Sequence, residues 1–499
     1  MSPRSQRLGL LAVLLIYLAL QAALWGYVTD DTYIHLVYAN HLLLGKGWVF
    51  NLGEPSYGST SPLWVLLLAP FASGEAAGVL AARLAALLAG LLSILVFHRL
   101  AGRAIARPDL RLAATLLFAT EVWFLRWSAS GMESALAVLA LLVFFDALAA
   151  APRRQSGAFG VGVLAAAAAL VRPEYYLLCA LLLALALLSP RWRRRWWALA
   201  AGVALPLVPW LLFAHLELGA AFPSTAAAKS RGWQGWQHLA LQAARLLRVP
   251  ASSQALLLVA AAGGTATALG RRLRGAGGEP IRFYAALAGV WAVALPAVFL
   301  LRDVQVISRY LLPVTPLLPL AAGAYAARWV ERRPRLRGWV LAAVALSILP
   351  NALLFGARVL PDARRFPREL EASLGRMADY LDEHGVAGGR VACPDIGLMG
   401  MRSGFYVVDL GGLIHPDIAE LWHERGYREM VESLAFLERR EADYLVDRHP
   451  VPGALAGPRG DGRMLLPLMV QEVSALGLRK PEPVTYTLYR IGRSGDAEP

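Results

Sequence analysis

Long apolar runs alternate with short polar connections along the first two thirds of the chain. Leu8–Val28 and Gly78–Phe97 are two of these runs, and each has about the 20 residues that an α-helix needs to cross the hydrocarbon core of a bilayer. Similar runs continue to Leu360, and we expect about eleven crossing helices in all. The pattern therefore predicts an α-helical polytopic membrane protein.

The first polar stretch, Thr29–Trp64, is longer than a simple connector requires. Thr29 or Asp30 can cap a short helix, and Gly45 can end it. The apolar run Ser61–Phe71 is too short to span a bilayer and suits an interfacial helix. We therefore interpret residues 29–75 as a first extracytoplasmic loop with interfacial helices.

The pattern changes after Pro361, where polar and charged residues become frequent. Short alternating segments predict four strands, and amphipathic spacing predicts two helices. The strands are expected at Gly389–Asp395, Tyr406–Gly412, Asp443–Asp447 and Val484–Ile491, and the helices at Arg365–Asp382 and Asp417–Arg440. About 130 residues suffice for a small α/β domain. We expect a transmembrane domain at residues 1–360 and a soluble α/β domain at residues 361–499.

Composition and charge agree with a membrane protein and orient it. Of the 499 residues, 57% are hydrophobic, which is too apolar for a soluble globular chain. The net charge of +14 comes mostly from arginines clustered in alternate connections, and this positive-inside pattern indicates topology rather than nucleic-acid binding. We expect a bacterial inner-membrane protein with a cytoplasmic N-terminus and an extracytoplasmic C-terminal domain. No disulfide is expected between Cys179 and Cys393.

This topology places a set of polar residues on the outer face. Snorkelling to the interface explains most of the arginines at helix ends, but it explains carboxylates less well. Four carboxylates are expected on the outer face, and they are Asp30, Asp31, Glu133 and Glu174. Four carboxylates at one membrane face indicate a site.

Adjacent aspartates cannot both point the same way from a helix start. One of Asp30 and Asp31 can take a proton from an acceptor hydroxyl, while the other caps the helix or supports the first. Alternatively both are caps, because negative charge is favoured at a helix N-terminus. Glu133 and Glu174 can orient sugar hydroxyls or pair with neighbouring arginines.

Other chemistries find no support in the sequence. There is no His-X-X-X-His, Cys-X-X-Cys, Walker-type or Gly-X-Ser-X-Gly pattern, so a built-in zinc or haem site, nucleotide hydrolysis and serine hydrolysis are not indicated. A single histidine does not define a metal site. We expect no certain cofactor, although acidic residues from separate loops can converge on a divalent cation without a spacing signature.

At this point the motifs resemble those of the GT-C superfamily of membrane glycosyltransferases, in particular the branch that contains the terminal arabinofuranosyltransferases. The first block consists of Asp30–His35, Gly45–Glu54 and Thr60–Trp64. Further matches are Ser130–Ser134, Val171–Glu174, Phe222–Thr225 with Lys229, Arg309–Pro313, Asp395–Gly397 and Val408–Leu413. One departure is Tyr57, where many relatives carry glutamate, so an auxiliary acidic contact is absent or has moved to Glu54.

The resemblance implies a sugar donor linked to polyprenyl phosphate and an aspartate in the first external loop that is essential for transfer. Our hypothesis is that Asp30 or Asp31 acts as general base and that polyprenyl phosphate leaves with inversion. The acceptor would be a cell-envelope glycan, lipid or protein, and no nucleic acid is implied. The candidate phosphate ligands are Lys229, Arg172 and Arg309, and the other candidate substrate contacts are His35, Glu54, Glu133, Glu174 and Tyr310.

The main alternative is a secondary transporter or lipid-handling membrane protein. Such a protein places ionisable groups near helix midpoints, whereas the charges here gather at the outer helix ends. A structural or sensory protein with an external ligand domain is a third possibility, but it leaves the paired aspartates unexplained. The enzyme hypothesis predicts an outer cavity lined by Asp30 or Asp31, and a transporter predicts a polar path through the bundle.

Overall fold

The computed structural model describes residues 1–150, 154–222, 235–273, 283–304, 306–459, 462–474 and 483–493. Most of these residues are helical. In chain order the α-helices are α1 (Pro3–Ala23), α2 (Asp30–Leu43), α3 (Pro62–Leu68), α4 (Glu75–Ala104), α5 (Pro108–Ala119), α6 (Val122–Ser128), α7 (Ser134–Ala150), α8 (Gln155–Val171), α9 (Tyr175–Leu188), α10 (Pro190–Arg193), α11 (Trp196–Glu217), α12 (Trp236–Leu273), α13 (Phe283–Leu301), α14 (Leu317–Arg332), α15 (Arg337–Leu354), α16 (Leu360–Leu370), α17 (Arg376–His384), α18 (Gly397–Arg402), α19 (Pro416–Arg425) and α20 (Tyr427–Glu432).

Among the described residues, six helical runs are long and apolar enough to cross a membrane. They are Pro3–Ala23, Glu75–Ala104, Trp196–Glu217, Trp236–Gly264, Phe283–Leu301 and Pro334–His384. Shorter apolar helices accompany them, including α7, α8 and α9. The expectation of a polytopic helical membrane protein is confirmed, and the count of about eleven crossings stays a prediction.

The chain forms two compact units. The first contains Met1–Trp25, Arg83–Trp210 and Ser230–Pro361, and the second contains Gly26–Ala82, Leu211–Lys229 and Asp362–Pro499. The first polar loop of the sequence thus belongs to the same unit as the C-terminal region. The predicted domain boundaries at residues 360 and 361 stay a prediction.

Close helix packing in the first unit depends on small residues. A Cβ atom on Gly162 of α8 would lie 2.3 Å from the backbone oxygen of Leu199, and one on Gly202 of α11 would lie 2.1 Å from the backbone oxygen of Phe159. The two helices therefore touch backbone to backbone, as small residues allow in membrane bundles.

The second unit contains a six-stranded sheet in the order β2-β1-β3-β6-β5-β4. The strands are β1 (Arg390–Cys393), β2 (Tyr406–Asp409), β3 (Tyr444–His449), β4 (Gly457–Pro458), β5 (Arg463–Val473) and β6 (Val484–Arg493). Strand β1 pairs in parallel with β2 and β3, and the remaining pairs are antiparallel. The sequence located β1, β2, β3 and β6 but missed β4 and β5; Pro467 interrupts β5 at a shift in register, and a proline within an apolar run argues against a strand.

Strand β1 lies between the two strands that follow it in sequence. The chain passes from β1 to β2 through α18, and then from β2 to β3 through α19 and α20. Right-handed crossovers that run in opposite directions lie on opposite faces of a sheet. Consistently, Ala392, Leu445 and Leu421 share one hydrophobic cluster with α19 and α20, and no residue of α18 belongs to that cluster. The strand order therefore reverses between β1 and β3.

Candidate functional site

Asp30 is the first residue of α2, and its carboxylate is fully engaged by backbone donors of the C-terminal region. Its Oδ2 accepts the N–H of Gly397 at 2.9 Å, and its Oδ1 accepts the N–H of Leu398 at 2.9 Å. A Cβ atom at residue 397 would lie 2.0 Å from the backbone oxygen of Asp30. Only glycine permits this approach, which explains the Asp-Ile-Gly sequence after β1.

The electrostatics of Asp30 reflect this enclosure. Burial raises the pKa of its carboxyl to about 7, the negative charge of Asp395 adds to the rise, and the hydrogen bonds from Leu398 and Gly397 oppose it. A pKa near neutrality suits a general base, but geometry has priority over pKa in assigning that role. Both oxygens of Asp30 already accept hydrogen bonds, so its geometry is that of a structural bridge.

Asp31 occupies the next position in the first turn of α2 and is half-buried. Its position on the helix is fixed because Asp30 ties that helix start to the loop after β1. Asp31 is therefore a partly exposed carboxylate at a fixed helix start.

Glu54 lies in a hydrogen-bonded network in the same unit. Its carboxylate accepts Arg440 Nη1 at 2.7 Å and also the hydroxyl of Tyr406. Arg440 in turn donates to Asp417 at 2.9 Å. Burial favours a higher pKa for Glu54, but the hydrogen bonds from Tyr406 and Arg440 outweigh it and lower that pKa. Glu54 thus connects the first loop to the C-terminal region as a carboxylate.

His415 belongs to the same network, and its imidazole is neutral. Its Nδ1 accepts the backbone N–H of Asp409 at 3.0 Å, and its Nε2 lies 3.1 Å from the hydroxyl of Tyr406. Burial lowers the pKa of His415 to about 4, and Arg440 lowers it further. An acceptor role for Nδ1 requires the neutral imidazole.

A second group of ion pairs in the same unit involves Arg402. Arg402, the last residue of α18, donates to Glu75 at 2.6 and 2.8 Å and to Glu371 at 2.8 and 2.9 Å. Bidentate geometry of this kind adds directional specificity as well as energy. The loop that holds Asp30 is therefore fixed at both of its ends.

In the first unit, Arg172 joins the two predicted glutamates. Its Nη1 donates to Glu133 at 2.7 Å, and its Nη2 and Nε donate to Glu174 at 2.7 and 3.2 Å. Arg172 and Glu133 are both buried. The sequence left two interpretations for these glutamates, which were binding of sugar hydroxyls and pairing with arginine. The structure shows pairing, and Arg172 pairs with both glutamates.

Arg309 and Tyr310 lie on a 3₁₀ turn, Ser308–Leu311, beside this cluster. The Arg309 guanidinium lies over the rings of Trp127 and Tyr310, at 5.4 and 5.5 Å from their centroids. Arg172 lies 5.6 Å from the same Tyr310 ring. Aromatic faces stabilise a cation without neutralising it.

Three other expectations concern a histidine, a lysine and a metal. His35 is buried on α2, and its Nδ1 lies 3.0 Å from the hydroxyl of Ser59, which is a packing contact within the first loop. Lys229 lies outside the described residues. Within the described ranges, no three His, Cys, Asp or Glu side chains form a group that could hold a metal ion.

The sequence motifs contained Asp395 and Gly397, but neither was among the predicted site residues. The signal for them was the position of Asp395 directly after a parallel strand, because ligand-binding residues gather at the carboxyl ends of such strands. Arg440 and Tyr406 carried no comparable signal, since their contact with Glu54 joins residues 386 and 352 positions apart.

The fold is similar to those of three solved structures, each less than 25% identical to this chain. ArnT from Cupriavidus metallidurans bound to undecaprenyl phosphate matches with a TM-score of 0.59, over 97% of this chain and 98% of that chain, at 16% identity. The oligosaccharyltransferase AglB from Archaeoglobus fulgidus, in complex with an inhibitory peptide and a dolichol-phosphate, matches with a TM-score of 0.58, over 88% and 69% of the two chains, at 12% identity. Arabinofuranosyltransferase AftD from Mycobacteria matches with a TM-score of 0.53, over 100% and 40%, at 18% identity.

The sequence itself is similar to a curated protein, the terminal β-(1→2)-arabinofuranosyltransferase of Mycobacterium tuberculosis. The two are 32% identical over 235 residues, which covers 42% of this chain and 37% of that relative. Residues 364–489 match a family model described as a domain of unknown function, DUF8728.

Proposed function

We propose that this protein is a membrane glycosyltransferase that transfers a sugar from a polyprenyl-phosphate donor to a cell-envelope acceptor. The observation that carries the proposal is the fixed helix start at Asp30 and Asp31 within a GT-C fold. The partial similarity to an arabinofuranosyltransferase supports sugar transfer, and the polyprenyl phosphates bound to ArnT and AglB support a lipid-linked donor.

In this proposal Asp31 is the general base. It takes the proton of the acceptor hydroxyl as that oxygen attacks the anomeric carbon, the bond from this carbon to the donor phosphate breaks, and polyprenyl phosphate leaves with its negative charge. A single displacement inverts the anomeric centre and needs one carboxylate. In this proposal Asp30 is a positioning residue, because each of its oxygens accepts a backbone N–H and it is more buried than Asp31.

Of Arg172 and Arg309, we favour Arg309 as the phosphate ligand. Arg172 has two carboxylate partners at 2.7 Å, so its charge is already balanced. Arg309 lies against the rings of Trp127 and Tyr310, and in this proposal its guanidinium stabilises the leaving phosphate. Arg172, Glu133 and Glu174 then hold the buried surroundings of this cation in place.

The proposed topology follows from charge. The arginine clusters lie on the cytoplasmic side of a bacterial inner membrane, and the C-terminal region lies outside. A cysteine introduced at exposed Arg425 should react with a membrane-impermeant thiol reagent added to the outer face, whereas one at exposed Arg4 should not. The reverse labelling would contradict this orientation.

The test of function uses the purified full chain in lipid nanodiscs with a panel of polyprenyl-phosphate pentoses and hexoses. We expect one donor to be consumed with release of polyprenyl phosphate, and Asp31→Asn to reduce this release by about 10²- to 10⁴-fold. A folded wild-type protein that consumes none of the donors, or an Asp31→Asn variant of wild-type activity, would contradict the proposal.

A further inference from the structure

A charged pair occupies the point at which the strand order of the C-terminal sheet reverses. Asp395 follows the last residue of β1 by two positions, and Arg448 lies near the end of β3. The parallel register pairs Ala392 with Leu445, and the same register continued places Asp395 opposite Arg448. Arg448 Nη1 donates to Asp395 Oδ2 at 3.0 Å.

The position matters because of how the chain leaves the sheet. The connections after β1 and β2 pass to opposite faces, so the carboxyl ends of β1 and β3 flank the point at which the strand order reverses. In open α/β sheets, ligands bind in a crevice outside the carboxyl ends of the strands at such a point. Part of it is filled here, because the loop after β1 already binds the carboxylate of Asp30.

The remaining part is polar and partly exposed to solvent. Tyr486 forms its floor: it is fully buried, pairs with Arg448 across β3 and β6, and donates its hydroxyl to Asp395 Oδ2. The side chains of Asp395 and Arg448 are 28% and 31% exposed. Within the described parts of the chain, Asp395 Oδ1 receives no hydrogen bond.

We infer that this crevice is an acceptor subsite in which Asp395 and Arg448 bind hydroxyl groups of a glycan chain. A carboxylate oxygen accepts from one sugar hydroxyl while a guanidinium donates to its neighbour, and the two groups lie side by side as vicinal hydroxyls require. The inference rests on the proposed function, and it assigns the C-terminal region a direct part in substrate recognition. Asp395 lies two residues before Gly397, whose N–H donates to Asp30, so the subsite lies next to the helix start that carries Asp31.

The subsite makes a distinction that a purely structural ion pair does not. If Asp395 binds the acceptor, then Asp395→Asn weakens acceptor use much more than it changes donor hydrolysis in water. If the pair only ties β1 to β3, the substitution affects stability and both reactions together. A matched control is Glu438→Gln, which removes an exposed carboxylate that pairs with Arg425 at 3.0 Å in the same unit.

The experiment uses the full chain in nanodiscs and has two independent readouts. In the first, saturation-transfer NMR measures binding of pentofuranose and hexopyranose oligosaccharides without donor. We expect one class to bind the wild type and Glu438→Gln equally, and Asp395→Asn and Arg448→Gln about ten- to a hundredfold more weakly. Equal binding by wild type and Asp395→Asn, or no binding of either class to wild type, would overturn the inference.

The second readout separates the inference from the proposed function. Release of polyprenyl phosphate in the absence of acceptor reports donor use alone, and its failure in the wild type refutes the proposed function without bearing on oligosaccharide binding. With acceptor present, Asp395→Asn should raise the acceptor KM by about tenfold or more and change the rate of donor hydrolysis far less. A fall in donor hydrolysis that equals the fall in transfer would refute the subsite.

Discussion

Replacing Asp30 should loosen the loop after β1, whereas replacing Asp31 should leave it intact and abolish transfer. Asp30→Ala leaves the N–H groups of Gly397 and Leu398 without their acceptor. Each is a hydrogen bond to a charged group, worth about 1.5–3 kcal/mol, so local opening of this loop should become easier by about 3 kcal/mol or more. Because about 1.4 kcal/mol corresponds to tenfold, amide exchange there should accelerate by about a hundredfold or more.

The assay is hydrogen–deuterium exchange by mass spectrometry on peptides that cover residues 394–402, with the protein in nanodiscs. Asp31→Asn should exchange like the wild type in these peptides, since a substitution at a partly exposed position usually changes stability by about 0.5 kcal/mol or less. Its loss of transfer can then be attributed to chemistry. Unchanged exchange in Asp30→Ala, or accelerated exchange in Asp31→Asn, would refute the division of roles.

Three further outcomes are expected. Arg172→Met should destabilise the first unit by about 3–5 kcal/mol, because it removes the cation that pairs with the carboxylates of Glu133 and Glu174. The control in thermal unfolding is Arg425→Met, which removes an exposed ion pair worth about 1 kcal/mol or less. Similar losses of stability in the two variants would contradict this prediction. Gly162→Leu should prevent the contact of α8 with α11 and reduce the yield of monodisperse protein in size-exclusion chromatography. Gly160→Leu is the control and should be tolerated, because a Cβ atom at residue 160 has no atom within 4 Å. Equal yields of the two variants would be inconsistent with backbone contact. Burial and then Arg440 lower the pKa of His415 to about 4, so the unfolded state binds this proton first, and the stability that His415 contributes is lost as pH falls from about 6.5 towards 4. In thermal unfolding across this range, the stability difference between wild type and His415→Asn should become smaller as the pH is lowered. A difference that does not depend on pH would refute the assignment.

Much of the architecture was readable from the sequence because it follows from local rules. A membrane span is recognised by length and composition alone, and α1, α4 and α13 lie where the apolar runs predicted them. Strands β1, β2 and β3 were located for a similar reason, since each is a short run that is mostly buried and rich in β-branched or aromatic residues.

The candidate site was only partly accessible in the same way. The Asp30–Asp31 pair stood out because carboxylates are unusual beside a membrane span, and the pairing of Glu133 and Glu174 with an arginine was one of two stated alternatives. The sequence offered no means to distinguish the two aspartates, because their difference lies in the partners of Asp30, which are 367 and 368 positions away.

By itself the sequence determined that the protein is a polytopic helical membrane protein and where several of its long apolar helices lie, since hydrophobic length and charge bias act locally along the chain. Only the tertiary structure decided that Asp30 is enclosed by the loop after β1, that Glu54 binds Arg440, and that Asp395 meets Arg448 where the strand order reverses. The physical reason is that hydrogen bonds and ion pairs depend on distances of about 3 Å. The fold, not sequence spacing, sets those distances.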